Sequence, residues 1–140
     1  MMFSGQRRSD WPERLEFALS EHRKGAYQYG QFDCAVLFAD VVWAMTGVDP
    51  FEEAGKWHSE FGALKALART GHSTVKSFCD AKFETIAPSM ARRGDAGYVD
   101  AIHPLLCPAI VIGADAITRD EKGGWIRFSV SQLTTAYRIG

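Results

Sequence analysis

An acidic residue and a thiol stand side by side where a polar segment gives way to the longest apolar run of the chain. The pair is Asp33-Cys34, and the run continues to Met45. Aspartate often caps helix N-termini, because its carboxylate accepts hydrogen bonds from the free backbone N–H groups of the first turn. Cys34 then falls where those N–H groups and the helix dipole favour a negative charge. Two interpretations follow: an activated thiolate nucleophile, or a small side chain that fills an apolar site.

The other histidines and cysteines do not form a metal-binding pattern. His103 and Cys107 are four residues apart, but a proline follows each of them and excludes a regular helix that would bring them to one face. The chain has no Cys-x-x-Cys pair, no His-Glu-x-x-His motif and no phosphate-binding glycine motif. We therefore expect no metal and no cofactor. The cysteines are odd in number and widely spaced, which is typical of free thiols in a reducing compartment; they are Cys34, Cys79 and Cys107.

The elements that must position these residues follow from hydrophobic periodicity and from the residues that begin or end helices. The second predicted helix is apolar all round, so we expect it to be the central helix, buried on all sides. The first helix is expected to bury one face, formed by Leu15, Ala18, Leu19 and His22. The four predicted helices run from Trp11 to Lys24 after an Asp10 cap, from Asp33 to Met45 with Gly47 as the stop, from Glu60 to Arg69 before Gly71, and from Thr74 to Ala81.

After about Phe83 the pattern changes to short strand-like runs separated by glycine-containing turns. Because the helices precede the strands, the sequence predicts the α+β class, with the central helix packed on a C-terminal antiparallel sheet. No linker or repeat divides the chain, so one domain over residues 1–140 is expected. The predicted strands are Phe83–Ile86, Ala96–Val99, Leu105–Ile112, Ala116–Thr118, Trp125–Ser129 and Ala136–Ile139.

Composition and charge exclude several classes of function. The chain is 46% hydrophobic and 24% charged, as in an ordinary globular domain. A net charge of −1 gives no electrostatic reason to bind nucleic acid, and we assign the isolated pairs Arg7-Arg8 and Arg92-Arg93 to solvated surface. The longest apolar stretch contains Asp40 and is too short to cross a bilayer, so no membrane insertion is expected. The N-terminus lacks the apolar core of a signal peptide, which predicts synthesis in the cytoplasm.

Three short motifs, taken in their order along the chain, resemble those of a known family. Tyr27-x-Tyr29-Gly30 leads into Asp33-Cys34 at the start of a helix. Further on, Gly94-Asp95 opens a strand-like segment, and Ile110-Val111-Ile112-Gly113 ends another. The set resembles the NlpC-like cysteine peptidases, papain-related enzymes that cut peptidoglycan stem peptides. The resemblance extends from about Trp11 to the end of the chain and implies a papain-like, NlpC-type fold.

The resemblance assigns roles to the residues that match its first motif. Cys34 takes the position of the nucleophile, and its backbone N–H belongs to the oxyanion hole. Tyr27 is either the second donor to that hole or a half-buried packing aromatic. Asp33 matches a residue that caps and orients the helix and transfers no proton.

The chain departs from the family pattern at the catalytic base. The family has a His at the start of the strand that ends in glycine, whereas Cys107 stands in that register here. A thiol cannot take up a proton and hold it as an imidazole does. The nearest His in sequence is His103, which is either a base brought in by a bent loop or a solvated loop residue. We predict that no imidazole reaches Cys34; the remaining histidines, His22, His58 and His72, match no family motif.

Within the family, the resemblance is closest to a phage-encoded branch of small proteins whose genes lie among those of the tail tip. It implies a virion tail-tip or baseplate protein, with the hub, distal tail and fibre-bearing proteins as partners and peptidoglycan as substrate if active. Two functions remain: a peptidoglycan peptidase that opens the cell wall, or a structural adaptor or plug that is a pseudoenzyme. A thiol-protease scaffold in a bacterial stress or toxin context is a third, weaker alternative to these two functions. The matching segments are Trp11-Pro12-x-Arg14-Leu15, Thr46-Gly47-Val48-Asp49 and Ala136-Tyr137-Arg138-Ile139.

Overall fold

The computed structural model of the chain describes residues 2–25, 33–52, 65–100, 105, 107–120 and 124–140. Within them, helices come first and a six-stranded antiparallel sheet follows, which confirms the α+β class predicted from the sequence. The helices are α1 (Trp11–Lys24), α2 (Cys34–Thr46) and α3 (Val75–Lys82). The strands are β1 (Glu84–Ile86), β2 (Ala96–Tyr98), β3 (Ala109–Val111), β4 (Asp115–Arg119), β5 (Trp125–Ser129) and β6 (Thr135–Arg138).

Helix α2 begins and ends where the sequence predicts. The Asp33 carboxylate accepts a 2.7 Å hydrogen bond from the backbone N–H of Val36, and Gly47 closes the helix at a φ of 78°, which glycine adopts without strain. The expectation that α2 is buried on all sides is wrong. Asp40 and Trp43 lie on a solvent-facing side, and Trp43 is 54% exposed. The opposite side forms the core of the protein through Leu37, Phe38, Val41, Val42 and Met45.

Helix α1 packs against α2 through the predicted face. A hydrogen bond of 2.6 Å between His22 Nε2 and Asp40 Oδ2 joins the two helices. Asp10 occupies the N-cap position of α1, but its carboxylate binds the Arg14 side chain and not a backbone N–H group. The buried residues of α1 are Leu15, Ala18, Leu19 and His22, as expected.

The third predicted helix is found in part, and the fourth is found in full. Of the third, expected from Glu60 to Arg69, residues 60–64 lie outside the described residues, and residues 65–68 are helical. The fourth is α3, whose N-cap Thr74 accepts a hydrogen bond from the backbone N–H of Ser77. In the described part of the chain, none of the helices is both long and apolar enough to cross a membrane.

The strands lie in the order β1-β6-β2-β3-β4-β5, and each neighbouring pair is antiparallel. Gly97 on β2 lies opposite Ala136 on β6, and a side chain at position 97 would overlap the Thr135 carbonyl oxygen. Glycine is therefore required for β2 and β6 to approach each other. The predicted strand Leu105–Ile112 is shortened to β3, because Pro108 has no N–H group to donate to a sheet. The other strands begin and end within one residue of prediction.

The central strands β2 and β3 are buried on both faces of the sheet, as successive side chains along a strand point to opposite sides. On β3, Ile110 belongs to the core shared with the helices, together with Phe38, Phe83 and Tyr137. The opposite face of the sheet carries a smaller apolar cluster of Ala109, Val111, Ala116, Leu133 and Ala136.

The N-terminal segment is fixed to the end of the sheet by Arg7. Its guanidinium donates to the Ile139 carbonyl at 2.7 Å, to the Arg93 carbonyl at 2.8 Å and to Asp95 Oδ1 at 2.8 Å. It also lies over the Trp11 ring, 4.4 Å from the centroid. The assignment of Arg7 to solvated surface is therefore wrong, because this side chain connects the two ends of the chain.

Candidate functional site

Cys34 is the first residue of α2 and lies directly after the capping aspartate. The residue is 6% exposed, and Asp33 is 2% exposed. The free N–H groups of the first turn and the positive end of the helix dipole are therefore close to the sulfur, as the sequence predicts. This confirms the expected placement of the thiol at the start of a helix that packs on an antiparallel sheet.

The described partner of the Cys34 thiol is a second thiol. Cys34 Sγ and Cys107 Sγ are 3.0 Å apart and form a buried hydrogen bond in which either group can donate. Cys107 lies just before β3 and is 1% exposed. The sequence register that puts Cys107 in the place of the catalytic His thus corresponds to a residue in direct contact with Cys34.

The chemistry of Cys107 differs from that of a base. Its hydrogen bond with Cys34 and its burial raise the pKa of the Cys107 thiol well above the ordinary value for cysteine. Cys107 therefore keeps its own proton at neutral pH and cannot accept the proton of Cys34. The described contact therefore joins two thiols, and the second of them is a poor general base.

The third cysteine joins the same buried region through a tyrosine on β2. Cys79 on α3 is fully buried and makes a hydrogen bond with Tyr98, and burial raises the pKa of its thiol. Burial also raises the pKa of the Tyr98 hydroxyl, and the nearby charges of Cys79, Cys107 and Cys34 act in the same direction. All three cysteines therefore lie near enough to Tyr98 to influence its pKa, although they are far apart in sequence. The sequence gives no signal for this cluster, because it depends on how α2, α3 and the sheet pack together.

The described histidines are engaged away from Cys34. His22 is bound to Asp40, which lies six residues after Cys34 and hence about 9 Å along the axis of α2. His72 makes a 2.7 Å hydrogen bond with Ser77 Oγ and contacts the Phe78 ring edge-on. The candidate base His103 and the candidate oxyanion donor Tyr27 lie outside the described residues, as does His58. The prediction that no imidazole reaches Cys34 therefore stays a prediction.

The contact between the two described thiols supplies fewer ligands than a metal site uses. Among the described residues, no group of three or more His, Cys, Asp or Glu side chains is arranged to bind one. Structural zinc sites use four ligands, and catalytic sites use three with one open position. The contact between Cys34 and Cys107 provides two ligands.

The fold and the site together define an α+β protein with a buried pair of thiols where its central helix meets the sheet. Over residues 6–139 the chain matches the family model of a domain of unknown function, DUF6950. Because the match covers nearly the whole sequence, the chain belongs to this family. Comparison with curated proteins gives no match.

Proposed function

We propose that this chain is an NlpC-type, papain-related domain of a phage tail tip that has lost peptidase activity and acts as a structural adaptor or plug. The observation that carries the proposal is the 3.0 Å contact between Cys34 and Cys107. In a cysteine peptidase the residue at this distance from the nucleophile is the base, and it is an imidazole. Here the residue in that register is a protonated thiol.

The contact supports the NlpC-type assignment as well as the loss of activity. The resemblance assigns position 34 to the nucleophile and position 107 to the base from sequence motifs alone. Two positions that form a dyad must lie within hydrogen-bond reach of each other, and the sulfurs of Cys34 and Cys107 meet this requirement. The antiparallel sheet beside a helix that begins with cysteine agrees with the same fold type.

Burial of the sulfur is a second argument against hydrolysis. A peptidoglycan stem peptide is part of a cross-linked polymer, so a peptidase must present its nucleophile in an open cleft. Cys34 is only 6% exposed, and Cys107 covers it from the side of β3. The geometry thus favours a structural role over attack on a large substrate.

The tail-tip assignment rests on the resemblance to the phage-encoded branch, and one surface feature supports a role in protein contacts. Phe17 on α1 is 67% exposed and Trp43 on α2 is 54% exposed. Large exposed aromatics are more frequent at protein interfaces than on other surfaces. The hub, distal tail and fibre-bearing proteins of the tail are the expected partners.

The loss of activity is tested by incubating purified peptidoglycan with the protein and measuring released muropeptides by mass spectrometry. We expect wild type and Cys34→Ala to release equally little. If Cys107→His creates activity that the added Cys34→Ala change abolishes, while the matched Cys107→Ala control stays inactive, the fold is a peptidase scaffold that lacks only its base. Hydrolysis by wild type that both Cys34→Ala and His103→Ala abolish would overturn the proposal and establish the peptidase.

The structural role is tested separately in the assembled particle. Co-expression with phage hub and distal tail proteins is expected to yield a complex that contains this chain at fixed stoichiometry. Phage that carry Cys34→Ala are expected to form plaques as wild type does, whereas deletion of the gene prevents tail completion. Tails that assemble and infect normally without the gene would contradict the adaptor role.

A further inference from the structure

The contact between Cys34 and Cys107 joins parts of the chain that are 73 residues apart in sequence. One sulfur lies at the first residue of α2 and the other just before β3. Both residues are held by regular structure on one side, and both are buried. Two thiols brought together in this way can be joined by a disulfide bond when an oxidant removes two electrons.

We propose that Cys34 and Cys107 form a redox site that reacts with small hydroperoxides to give a reversible disulfide between α2 and β3. The inference goes beyond the proposed function and does not depend on it, because the chemistry requires only the two thiols. Its substrate class is hydrogen peroxide and hydroperoxides of similar size.

Cys34 is the residue that reacts first with the peroxide. It is 6% exposed, against 1% for Cys107, and a peroxide molecule is small enough to reach a sulfur with limited access. Its sulfur lies at the start of α2, beside the free N–H groups of the first turn, and the residue is the more exposed of the two. Cys107 keeps its proton because burial and the hydrogen bond raise its pKa, so it acts second.

The reaction proceeds in two steps. In the first, the Cys34 sulfur attacks one peroxide oxygen, the O–O bond breaks, and the products are a sulfenic acid at Cys34 and one water molecule. In the second, the Cys107 sulfur attacks the Cys34 sulfur, the S–O bond breaks, and the departing hydroxide takes the thiol proton to leave as water. Two thiols are oxidised and one peroxide is reduced to two molecules of water.

The disulfide would change stability as well as chemistry. It would connect the start of the central helix to the sheet and would shorten the unfolded chain by a loop of about 70 residues. We expect oxidation to raise the melting temperature by roughly 5–10 °C. A thiol reductant is expected to return the protein to its original melting temperature.

Cys79 provides an internal reference for the experiment. It is fully buried and its hydrogen bond goes to Tyr98, so it is expected to remain a free thiol. Trypsin places the three cysteines on separate peptides, which are residues 25–56, 77–82 and 94–119. A disulfide between any two of them is therefore identified directly by mass.

The test treats the intact wild-type protein with hydrogen peroxide, blocks the remaining thiols under denaturing conditions, and maps the tryptic peptides. We expect peptides 25–56 and 94–119 to be linked, peptide 77–82 to carry the blocking group, and dithiothreitol to remove the link. Full blocking of all three cysteines after peroxide would overturn the proposal. So would a link that includes Cys79, or conversion of Cys34 to sulfinic acid while Cys107 stays free.

Three variants separate the two steps. Cys107→Ser is expected to leave a sulfenic acid at Cys34 that dimedone traps, and Cys34→Ser is expected to leave Cys107 unmodified. Cys79→Ser is the matched control and is expected to form the same link as wild type. Trapping of a sulfenic acid at Cys107 in Cys34→Ser, at the rate seen for Cys34, would refute the assigned order. The peptide map of wild type decides the proposal even where a variant fails to fold.

Discussion

Replacing Arg7 with alanine is expected to destabilise the protein more than any other change to an arginine of its N-terminal segment. The guanidinium connects this segment to the end of the chain through the Ile139 carbonyl, and to the turn before β2 through the Arg93 carbonyl and the Asp95 carboxylate. Asp95 is 3% exposed, so its ion pair with Arg7 lies largely out of water. Arg7→Ala removes these interactions and the contact with the Trp11 ring.

The size of the effect follows from what remains around Asp95. Removing one partner of a buried ion pair costs roughly 3–5 kcal/mol when the other charge is left alone. The Asp95 carboxylate still accepts hydrogen bonds from the backbone N–H groups of Arg92 and Ile139, at 2.9 Å and 3.1 Å. We therefore expect a loss near the lower limit, about 3 kcal/mol of unfolding free energy, which lowers the melting temperature by roughly 10 °C.

Urea unfolding followed by circular dichroism measures this loss, and the adjacent arginine supplies the control. Arg8 lies on the exposed surface, so Arg8→Ala is expected to change the unfolding free energy by about 0.5 kcal/mol or less. Arg7→Lys keeps the charge but loses the planar fork that binds several acceptors, and it is expected to fall between Arg7→Ala and wild type.

A double-mutant cycle shows whether the ion pair is the cause. Asp95→Asn places an amide where the Arg92 and Ile139 N–H groups and the Arg7 guanidinium all need an acceptor. If Arg7 and Asp95 act together, the double variant is less destabilised than the sum of the two single variants by at least about 1 kcal/mol. The reasoning fails if Arg7→Ala costs no more than Arg8→Ala, or if the two single effects simply add.

Three further predictions concern the sheet, the buried acids and the thiols. Gly97→Ala is expected to cost about 3 kcal/mol by urea unfolding, because its methyl group would overlap the β6 backbone, whereas Gly124→Ala has room; equal stabilities would contradict the strand packing. Burial raises the pKa values of Cys79 and Tyr98 above those of the unfolded chain, so their contribution to stability is fully present below the unfolded pKa values and is lost progressively as the pH rises from the unfolded towards the folded pKa values. We expect the urea midpoint to be constant to about pH 8 and to fall above about pH 9; a constant midpoint to about pH 11 would be inconsistent with buried neutral groups. Iodoacetamide is expected to alkylate Cys34 before the other two cysteines in the reduced, isolated protein near neutral pH, and equal rates by peptide mapping would exclude its activation.

Features set by neighbouring residues could be predicted from the sequence. The Asp33 cap, the Gly47 stop and the Thr74 cap depend on backbone groups within a few residues, and all three are found. The buried face of α1 follows from the helical period and is also correct. The strand bounds follow from glycines and prolines, and the prediction fails only at β3, because the predicted strand includes Pro108 and the observed one begins after it.

Features set by distant residues could not be predicted. The hydrogen-bond partners of Arg7 are 86–132 residues away, so the residues next to it do not show that it forms these bonds and the exposed Arg8 does not. The exposed side of α2 could not be predicted for the same reason, because it depends on which distant elements pack against the helix. An apolar residue such as Trp43 signals burial only if another element covers it, and the sequence does not say which face of a helix is left open. Both errors come from inferring the environment of a side chain from its own type.

The thiol pair could be predicted in part: the sequence indicates which two positions correspond to a catalytic pair, but not that they are in contact. Register alone suggested that Cys107 takes the place of a base, but register gives no distance, and the 3.0 Å contact is a property of the packed chain. A backbone that holds two residues within hydrogen-bond reach does so whatever their side chains are. Under the proposed function and the proposed redox chemistry, the same two positions serve hydrolysis with an imidazole or thiol oxidation with a second sulfur. An imidazole at position 107 is larger than a thiol, and this position is only 1% exposed. Activity in Cys107→His therefore also requires that the surrounding core side chains repack to make room for the ring. A stable but inactive Cys107→His would mean that the pocket has closed around the thiol pair.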